Sequence, residues 1–502
     1  MSRRAFHALA ASGLALGLSH RAHAQTADSS APQTSLPADG QGKEPRGGQP
    51  PAGVSASVGD FGYQLAYQRA FELLLWAMPA QAIYRFRAAA LEDLGLRDND
   101  ILAWSAAAPP NLEATTANSS TPYITAFSDL QAGPLVLEVP TAGPEGSLYG
   151  QVVDAWQYTI ADVGPSGMDQ GKGAKYLFTP PGYEGDAPEG YIHVPSPNYR
   201  IAFAFRSVRA EGKTTEDAYA YAKKLRMYPL AQAQNPPKQR FFDPIESGYQ
   251  TLPFFDERAF EDMYHVFTVE PPEDKHKVML GMMETLGIKR GRPYAPNDTA
   301  KKAMRQAAID VWYAMEAWFD AIPKEKLYWP DRHYASLLLT DENKRFTWEY
   351  DDRIDTYERA AEYFWCTYMP TELSDAPATQ YMMGLADNTG APLMAGATYR
   401  LDLPADMPVS QFWALTVYDR ATKSFIYTEE GRTTLSSYDI PNMVKNDDGG
   451  VSLFVGPAAP EGMQSNWIPT RGKRPLTALR LYGPTEDFNQ KRFKLADFVR
   501  IS

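Results

Sequence analysis

Between Tyr149 and Tyr183 the chain reads Y-G-Q-V-V-D-A-W-Q-Y-T-I-A-D-V-G-P-S-G-M-D-Q-G-K-G-A-K-Y-L-F-T-P-P-G-Y, a dense run of acids, amines, aromatics and glycines. Asp154 alternates with Val152, Trp156 and Tyr158, which places an acid and aromatic rings on one face of an expected strand. An acid there is unfavourable to bury unless it is paired. Just beyond it, Asp169, Lys172 and Lys175 are interleaved with Gly167, Gly171 and Gly173. A carboxylate beside an ammonium suits acid–base work, because each group tunes the other's pKa. Glycines let the backbone approach a ligand and take positive φ. In this reading Asp154 or Asp169 is the acid or base, and Lys175 tunes the carboxylate or stabilises a developing anion. The competing reading is a structural salt bridge that braces a long loop.

A second polar cluster is Asn118-Ser119-Ser120-Thr121-Pro122-Tyr123. Short polar residues before a proline make a turn; the alternative is that Asn118, Thr121 and Tyr123 supply hydrogen bonds at a strand mouth. Tyr123 and Arg206 would position a substrate, with Trp156 as an aromatic surface beside Asp154. Nearer the C-terminus, Trp467 in N-W-I-P and Arg480 in R-L-Y-G-P offer an aromatic wall and a cation. These suit a carbohydrate-like or anionic small molecule, and suit sandwich packing equally.

Other chemistries lack their residues. Of seven histidines, His7, His20 and His23 fall in an expected signal, leaving His193, His265, His276 and His333 without zinc-helix spacing. No G-x-S-x-G, G-x-G-x-x-G or G-x-x-x-x-G-K-[ST] motif occurs. The single cysteine, Cys366, sits in the apolar run Y-F-W-C-T and reads as an inert core residue. No cofactor signature is evident; a carboxylate-bound divalent metal stays open and would favour the enzyme reading, particularly if two of the aspartates share it.

The elements that must position these residues follow from periodicity and turn signals. Residues 25–57 are Pro, Gly, Ser, Ala and Gln with few large apolar side chains, and read as a disordered linker. The stretch 58–95 is helical, with Leu65, Arg69, Leu73, Trp76 and Ala80 at helical spacing, an expected kink or break at Pro79, and a stop at Gly95. From 111 to 210 the pattern changes to short strands at 123–127, 135–139, 149–160 and 201–208, separated by Gly-Pro turns, which points to a β-sandwich. Residues 211–375 are mainly helical: a helix from Thr214 or Thr215 to Met227, one on Met304, Ala308, Val311, Trp312, Met315 and Phe319 with Asp298 as cap, and one over 350–368. Strands return over 376–502, at 412–418, 424–428, 451–455 and 478–482. The architecture expected is α+β and multidomain.

The N-terminus, Met1-Ser2-Arg3-Arg4-Ala5-Phe6, is followed by a short apolar run and Ala22-His23-Ala24. This is the pattern of a cleaved signal over 1–24, with the twin-arginine core, and it implies a periplasmic or secreted protein. The formal net charge is −12, and the signal would remove three arginines and no acid. That balance argues against nucleic acid as partner. No second long apolar run is present, so no membrane span is expected; a homo-oligomer stays open.

These same segments resemble a known pair of domains. The stretch 118–206 resembles the domain-of-unknown-function family 1254, through N-S-S-T-P-Y, D-L-Q-A-G-P, Y-G-Q-V-V-D-A-W and the long glycine-rich motif. The stretch from about Gln411 to Pro484 resembles family 1214, through F-W-A-L-T-V-Y-D, D-G-G-V-S-L-F-V, N-W-I-P and L-R-L-Y-G-P. Ala174 stands where the first family usually has a glycine. The resemblance implies an immunoglobulin-like sandwich, a helical middle and a C-terminal jelly-roll-like sandwich, and it implies no activity. Two readings of function remain: a carboxylate-dependent hydrolase or lyase acting on a small-molecule or sugar-like substrate, or a non-catalytic ligand-binding or envelope-assembly protein.

Overall fold

The computed structural model describes residues 48, 50, 54–119, 122–208, 212–322, 324–336, 339–366 and 379–502. The expected signal, most of the expected linker, and Thr121 lie outside them.

The molecule is organised around one long helix, α1 (Phe61–Glu92). Asp60 caps it by accepting from the Tyr63 N–H at 2.9 Å, and Gly95 at φ 64° turns the chain away after its end. From Leu73 to Ala82 every residue is buried, so this helix is enclosed on all sides. That enclosure explains why Pro79 does not break it, contrary to expectation. Neighbours supply the contacts, and the Pro79 carbonyl accepts from Gln157 Nε2 at 2.8 Å.

The first β-unit contains β1 (Ile101–Ala103), β2 (Tyr123–Asp129), β3 (Leu135–Val139), β4 (Ser147–Val153), β5 (Thr159–Val163), β6 (Ala174–Thr179), β7 (Tyr191–Pro195), β8 (Arg200–Val208), β9 (Arg226–Pro229) and β10 (Phe241–Phe242). They form a six-stranded sheet, β10-β1-β2-β8-β4-β5, and a four-stranded sheet, β7-β6-β3-β9. Ile124, Val152, Phe203 and Phe205 of the larger sheet share one core with Leu135, Leu137, Tyr176 and Phe178 of the smaller. Because side chains alternate along a strand, Phe127, Val153 and Ala202 point the other way, into the helical core around α1.

α2 (Thr215–Ala222) falls between β8 and β9; α3 (Arg258–Phe267), α4 (Lys277–Thr285), α5 (Asp298–Asp320) and, after the first strand of the second unit, α6 (Thr356–Tyr363) pack on α1. The expected helix to Met227 stops at Ala222. Residues 226–229 become β9, which pairs with β3. Asn297, not Asp298, caps α5, accepting from Ala300 at 2.8 Å. Of the helix expected over 350–368, the described residues form α6, capped by Asp355, while residues 367 and 368 lie outside them.

The second β-unit repeats the plan with β11 (Tyr334–Ser336), β12 (Thr379–Gly384), β13 (Tyr399–Leu403), β14 (Val409–Asp419), β15 (Thr434–Ser436), β16 (Val451–Gly456), β17 (Trp467–Pro469), β18 (Pro475–Pro484) and β19 (Val499–Arg500), the short α7 (Glu486–Asn489) lying between the last two. The sheets are β11-β12-β18-β14-β15 and β17-β16-β13-β19. Residues 424–428, expected as a strand, hold only an isolated bridge from Tyr418 to Phe425. Trp413, Leu415 and Leu481 meet Tyr399, Leu453 and Ile468 in the inter-sheet core, while Met383, Tyr418 and Ala478 point into the helical core. The outer faces of both large sheets therefore look onto the same helical layer. The fold is α+β and multidomain. Among the described residues, no helix is long and apolar enough to cross a membrane.

Candidate functional site

Away from the helices, the outer face of the first large sheet turns polar. Tyr123 on β2, Arg206 on β8 and Tyr149 on β4 stand side by side in register, and all three are partly exposed. The Arg206 guanidinium lies 4.9 Å from the centre of the Tyr123 ring. One step inward, the next row is Thr125, Ala204 and Gln151. Ala204 and Gln151 are partly exposed, and the buried Thr125 Oγ1 has no hydrogen-bond partner among the described residues. Small and polar residues in mid-sheet leave this face accessible where a packed sheet would carry large apolar side chains.

The second unit closes over this row. Burial disfavours charge on Arg206, but the phenols of Tyr123, Tyr381, Tyr149 and Tyr482 around it outweigh that effect and hold its pKa above the usual value. Tyr381 comes from β12 and Tyr482 from β18, so the cluster draws on both β-units. Asn118 joins them: its Nδ2 donates to Tyr482 Oη at 2.9 Å, and its backbone N–H to Tyr123 Oη at 3.2 Å. Arg480, fully buried, donates to Thr416 Oγ1 at 2.8 Å, Tyr418 Oη at 2.6 Å and the Thr116 carbonyl at 3.1 Å, with its guanidinium 5.5 Å from the Tyr381 ring centre. So Asn118, Tyr123, Arg206 and Arg480 converge. Arg480 is occupied in tying the two units together, and Arg206 lies in the same cluster on β8. Tyr149, Tyr381 and Tyr482 were not singled out as site residues. Tyr482 sits two residues from Arg480 on a strand and so had to share its face. Tyr381 has no local signal, since only the packing of one unit on the other places it.

Asp154 is elsewhere. The run expected as one strand over 149–160 is a hairpin: β4 ends at Val153, Gln157 turns the chain at φ 65°, and β5 begins at Thr159. Asp154 opens that turn. Its Oδ1 accepts the backbone N–H groups of Trp156 and Tyr158, both at 2.9 Å, and no hydrogen bond reaches its Oδ2 among the described residues. Burial pushes its carboxyl up to about 7, against the lowering effect of the two N–H groups. It borders a cavity of about 20 Å³, lined also by Ile83, Tyr84, Arg87 and Arg200, which has room for about one water. Trp156 is core: its ring stacks on His276 at 4.0 Å and lies 4.8 Å from Trp76.

Asp169, Lys175 and Trp467 act as braces. Asp169 Oδ1 accepts from the Gly164 N–H at 2.7 Å and from Tyr176 Oη at 2.8 Å, pinning the glycine-rich loop to β6. Lys175, half exposed, faces Glu138 on β3 at 3.4 Å, and Lys172 bonds Gln170. Trp467 Nε1 donates to the Gly456 carbonyl at 2.9 Å. By register Gly164 lies at the Tyr149 end of the β4–β5 hairpin and Asp154 at the other, about 17 Å away at strand spacing. Asp154, Asp169 and Lys175 therefore do not border one cleft, and the two aspartates cannot share a metal. Among the described residues no group of three His, Cys, Asp or Glu side chains is placed to hold one. Cys366 is buried against Thr116, and burial pushes its thiol up to about 12.

Among solved structures, the chain is similar to the VPA0106 protein from Vibrio parahaemolyticus, at 16% identity and a TM-score of 0.48, over 87% of this chain and 100% of that one. It is also similar to an uncharacterized protein from Burkholderia cenocepacia, at 11% identity and a TM-score of 0.38, over 88% and 95%. No curated protein matches. Residues 99–229 match the family model described as Protein of unknown function (DUF1254), and residues 378–486 match Protein of unknown function (DUF1214). The chain thus carries both family segments, DUF1254 before DUF1214, and each supplies one wall of the Arg206 cluster.

Proposed function

We propose that this is an exported, periplasmic or secreted protein that binds an anionic, hydroxyl-bearing small molecule in the cleft between its two β-units. The observation that carries this reading is the row Tyr123–Arg206–Tyr149, partly exposed and faced by Tyr381 and Tyr482. A guanidinium that keeps its charge offers a planar fork to a carboxylate. Tyrosines offer flat apolar faces with hydroxyls at their edges, which is what a sugar-like ring needs. The finer fold assignment, an immunoglobulin-like first unit and a jelly-roll-like second unit, belongs to the same proposal and is supported by the paired sheets in each.

The test is calorimetric titration of the mature chain with glucuronate and galacturonate, with glucose as the neutral control. The acids should bind and glucose should not, and Arg206→Gln should weaken binding about 10- to 100-fold, the worth of one charge-assisted contact. Arg206→Gln binding as tightly as the wild type would remove the anchor and the proposal with it.

A carboxylate-dependent hydrolase or lyase is the second reading, and one observation favours it: Asp154, a carboxyl whose pKa burial raises, is among the residues lining a small cavity. Its place, far along the sheet from Arg206, makes it a separate centre. Turnover of a nitrophenyl glycoside that survives Arg206→Gln and disappears in Asp154→Asn would support it.

A further inference from the structure

Tyr123 and Tyr482 come to the Arg206 cluster from different β-units, and one residue touches both. The Asn118 backbone N–H donates to Tyr123 Oη at 3.2 Å, and its side-chain Nδ2 donates to Tyr482 Oη at 2.9 Å. Both phenol oxygens are therefore acceptors toward Asn118. A phenol also has an O–H of its own to give. Neither Tyr123 nor Tyr482 gives it to any group among the described residues. Tyr418, in the same cluster, is the contrast. Its oxygen accepts from Arg480 at 2.6 Å, and its proton goes to the Ala117 carbonyl at 2.5 Å. Tyr418 is thus complete within the protein, whereas Tyr123 and Tyr482 each keep an O–H without an acceptor. The Arg206 guanidinium, 4.9 Å from the Tyr123 ring centre, likewise carries donors only.

The chain before β2 is built to hold Asn118 in place. Thr116 takes a φ of 44°, a conformation a β-branched residue adopts only at a cost and keeps only when its surroundings impose it. Contacts outside the first β-unit impose it. The Thr116 N–H donates to the Lys423 carbonyl at 2.7 Å, Oγ1 donates to the Trp365 carbonyl at 2.8 Å, and the Thr116 carbonyl accepts from Arg480 at 3.1 Å. Asn118, two residues on, is 2% exposed. A strap that belongs to the first unit is in this way fixed by its neighbours, with its amide set between two phenols.

We propose that Asn118 is a specificity-determining residue of this cluster: by donating to Tyr123 and Tyr482 it turns both phenols into outward donors beside Arg206, so that the group bound among them is an acceptor, the carboxylate of the ligand. This rests on the cleft reading above and assigns which end of an acidic sugar enters first. Three donors on one carboxylate make charge-assisted bonds. The mature chain is titrated calorimetrically with glucuronate and with its neutral amide, glucuronamide; the carboxylate should bind at least about 10-fold tighter. Tyr482→Phe should weaken glucuronate binding about 10-fold in the wild type, and less than about 3-fold in Asn118→Ala, where the phenol is no longer oriented. A residue that merely braced the fold would give the same factor in both backgrounds, and that result overturns the proposal. The bond directions are read without ligand by nuclear magnetic resonance on protein with isotope-labelled asparagine. Solvent exchange of the Asn118 side-chain amide should speed up in Tyr482→Phe, and that of its backbone N–H in Tyr123→Phe. Should Asn118→Ala fail to accumulate, these exchange rates decide. Exchange unchanged in both tyrosine variants overturns the proposal whatever the ligand does. A wild type that binds no uronate, with exchange as expected, overturns the cleft reading and leaves the donor orientation standing.

Discussion

Replacing Asp154 by asparagine should stabilise the protein at alkaline pH and do almost nothing at acid pH. The folded carboxyl sits at about 7, raised from 3.8 chiefly by burial. Between those values the folded chain holds the proton and the unfolded chain does not, so folding binds a proton and stability falls as pH rises through that window. The gap corresponds to about 4 kcal/mol at about 1.36 kcal/mol per pH unit, absent below pH 3.8 and complete above pH 7. Asparagine does not titrate, and its Oδ1 can still accept from Trp156 and Tyr158. Asp262 and Glu270, two other buried acids also pushed to about 7, steepen the same pH dependence in the wild type but cancel in the difference. The assay is urea unfolding of both proteins at pH 4, 6 and 8. The variant should gain on the wild type with each step, by up to about 4 kcal/mol at pH 8. A difference that is flat with pH, or that favours the wild type at pH 8, refutes the argument and shows that the charged form has a partner. The variant also separates roles: a carboxyl kept for proton transfer is one whose removal raises stability and abolishes turnover.

Asp169→Ala should lower stability by about 2–4 kcal/mol in the same assay, because the Gly164 N–H and Tyr176 O–H lose their buried acceptor. Lys175→Met should change it by less than about 1 kcal/mol, since its pair with Glu138 is half exposed; equal effects from the two would show that the loop is braced by charge. For export, residues 1–30 fused to a reporter active only when exported already folded should give signal, and changing Arg3 and Arg4 to lysine should remove it; export that persists unchanged assigns the general secretory route.

Much of the fold was legible because local rules governed it. The strand at Leu135–Val139 and the turn at Gly95 follow from a short apolar run after a Gly-Pro turn and from the need for positive φ. The errors fall where tertiary contacts override those rules. Residues 226–229 continue a helical pattern, but β3 offers an unpaired edge and takes them as a strand. Pro79 ought to break a helix exposed to water; here the helix runs on unbroken through residues that are all buried from Leu73 to Ala82. The Arg206 cluster was half legible. Asn118 could be picked from a polar turn and Tyr123, Arg206 and Arg480 as polar residues in apolar strands, but Tyr381 joins them only when one β-unit packs on the other.

The glycine-rich loop shows why a residue pattern can be specific and still be misread. A Cβ added at Gly164 would lie 2.3 Å from the Leu148 carbonyl oxygen, and one at Gly167 would lie 2.6 Å from that of Asp162. Those glycines are required because the loop lies directly against β4 and β5, and Asp169 holds it there. Of the two explanations open for so many glycines, close approach to a ligand and close approach to a neighbouring strand, the geometry selects the second. The loop closes the same end of the hairpin at which Tyr149 stands beside Arg206. Asp169 holds the loop to Gly164, next to the last paired residue of β5. The motif thus braces the sheet edge at which Tyr149 of the proposed site stands.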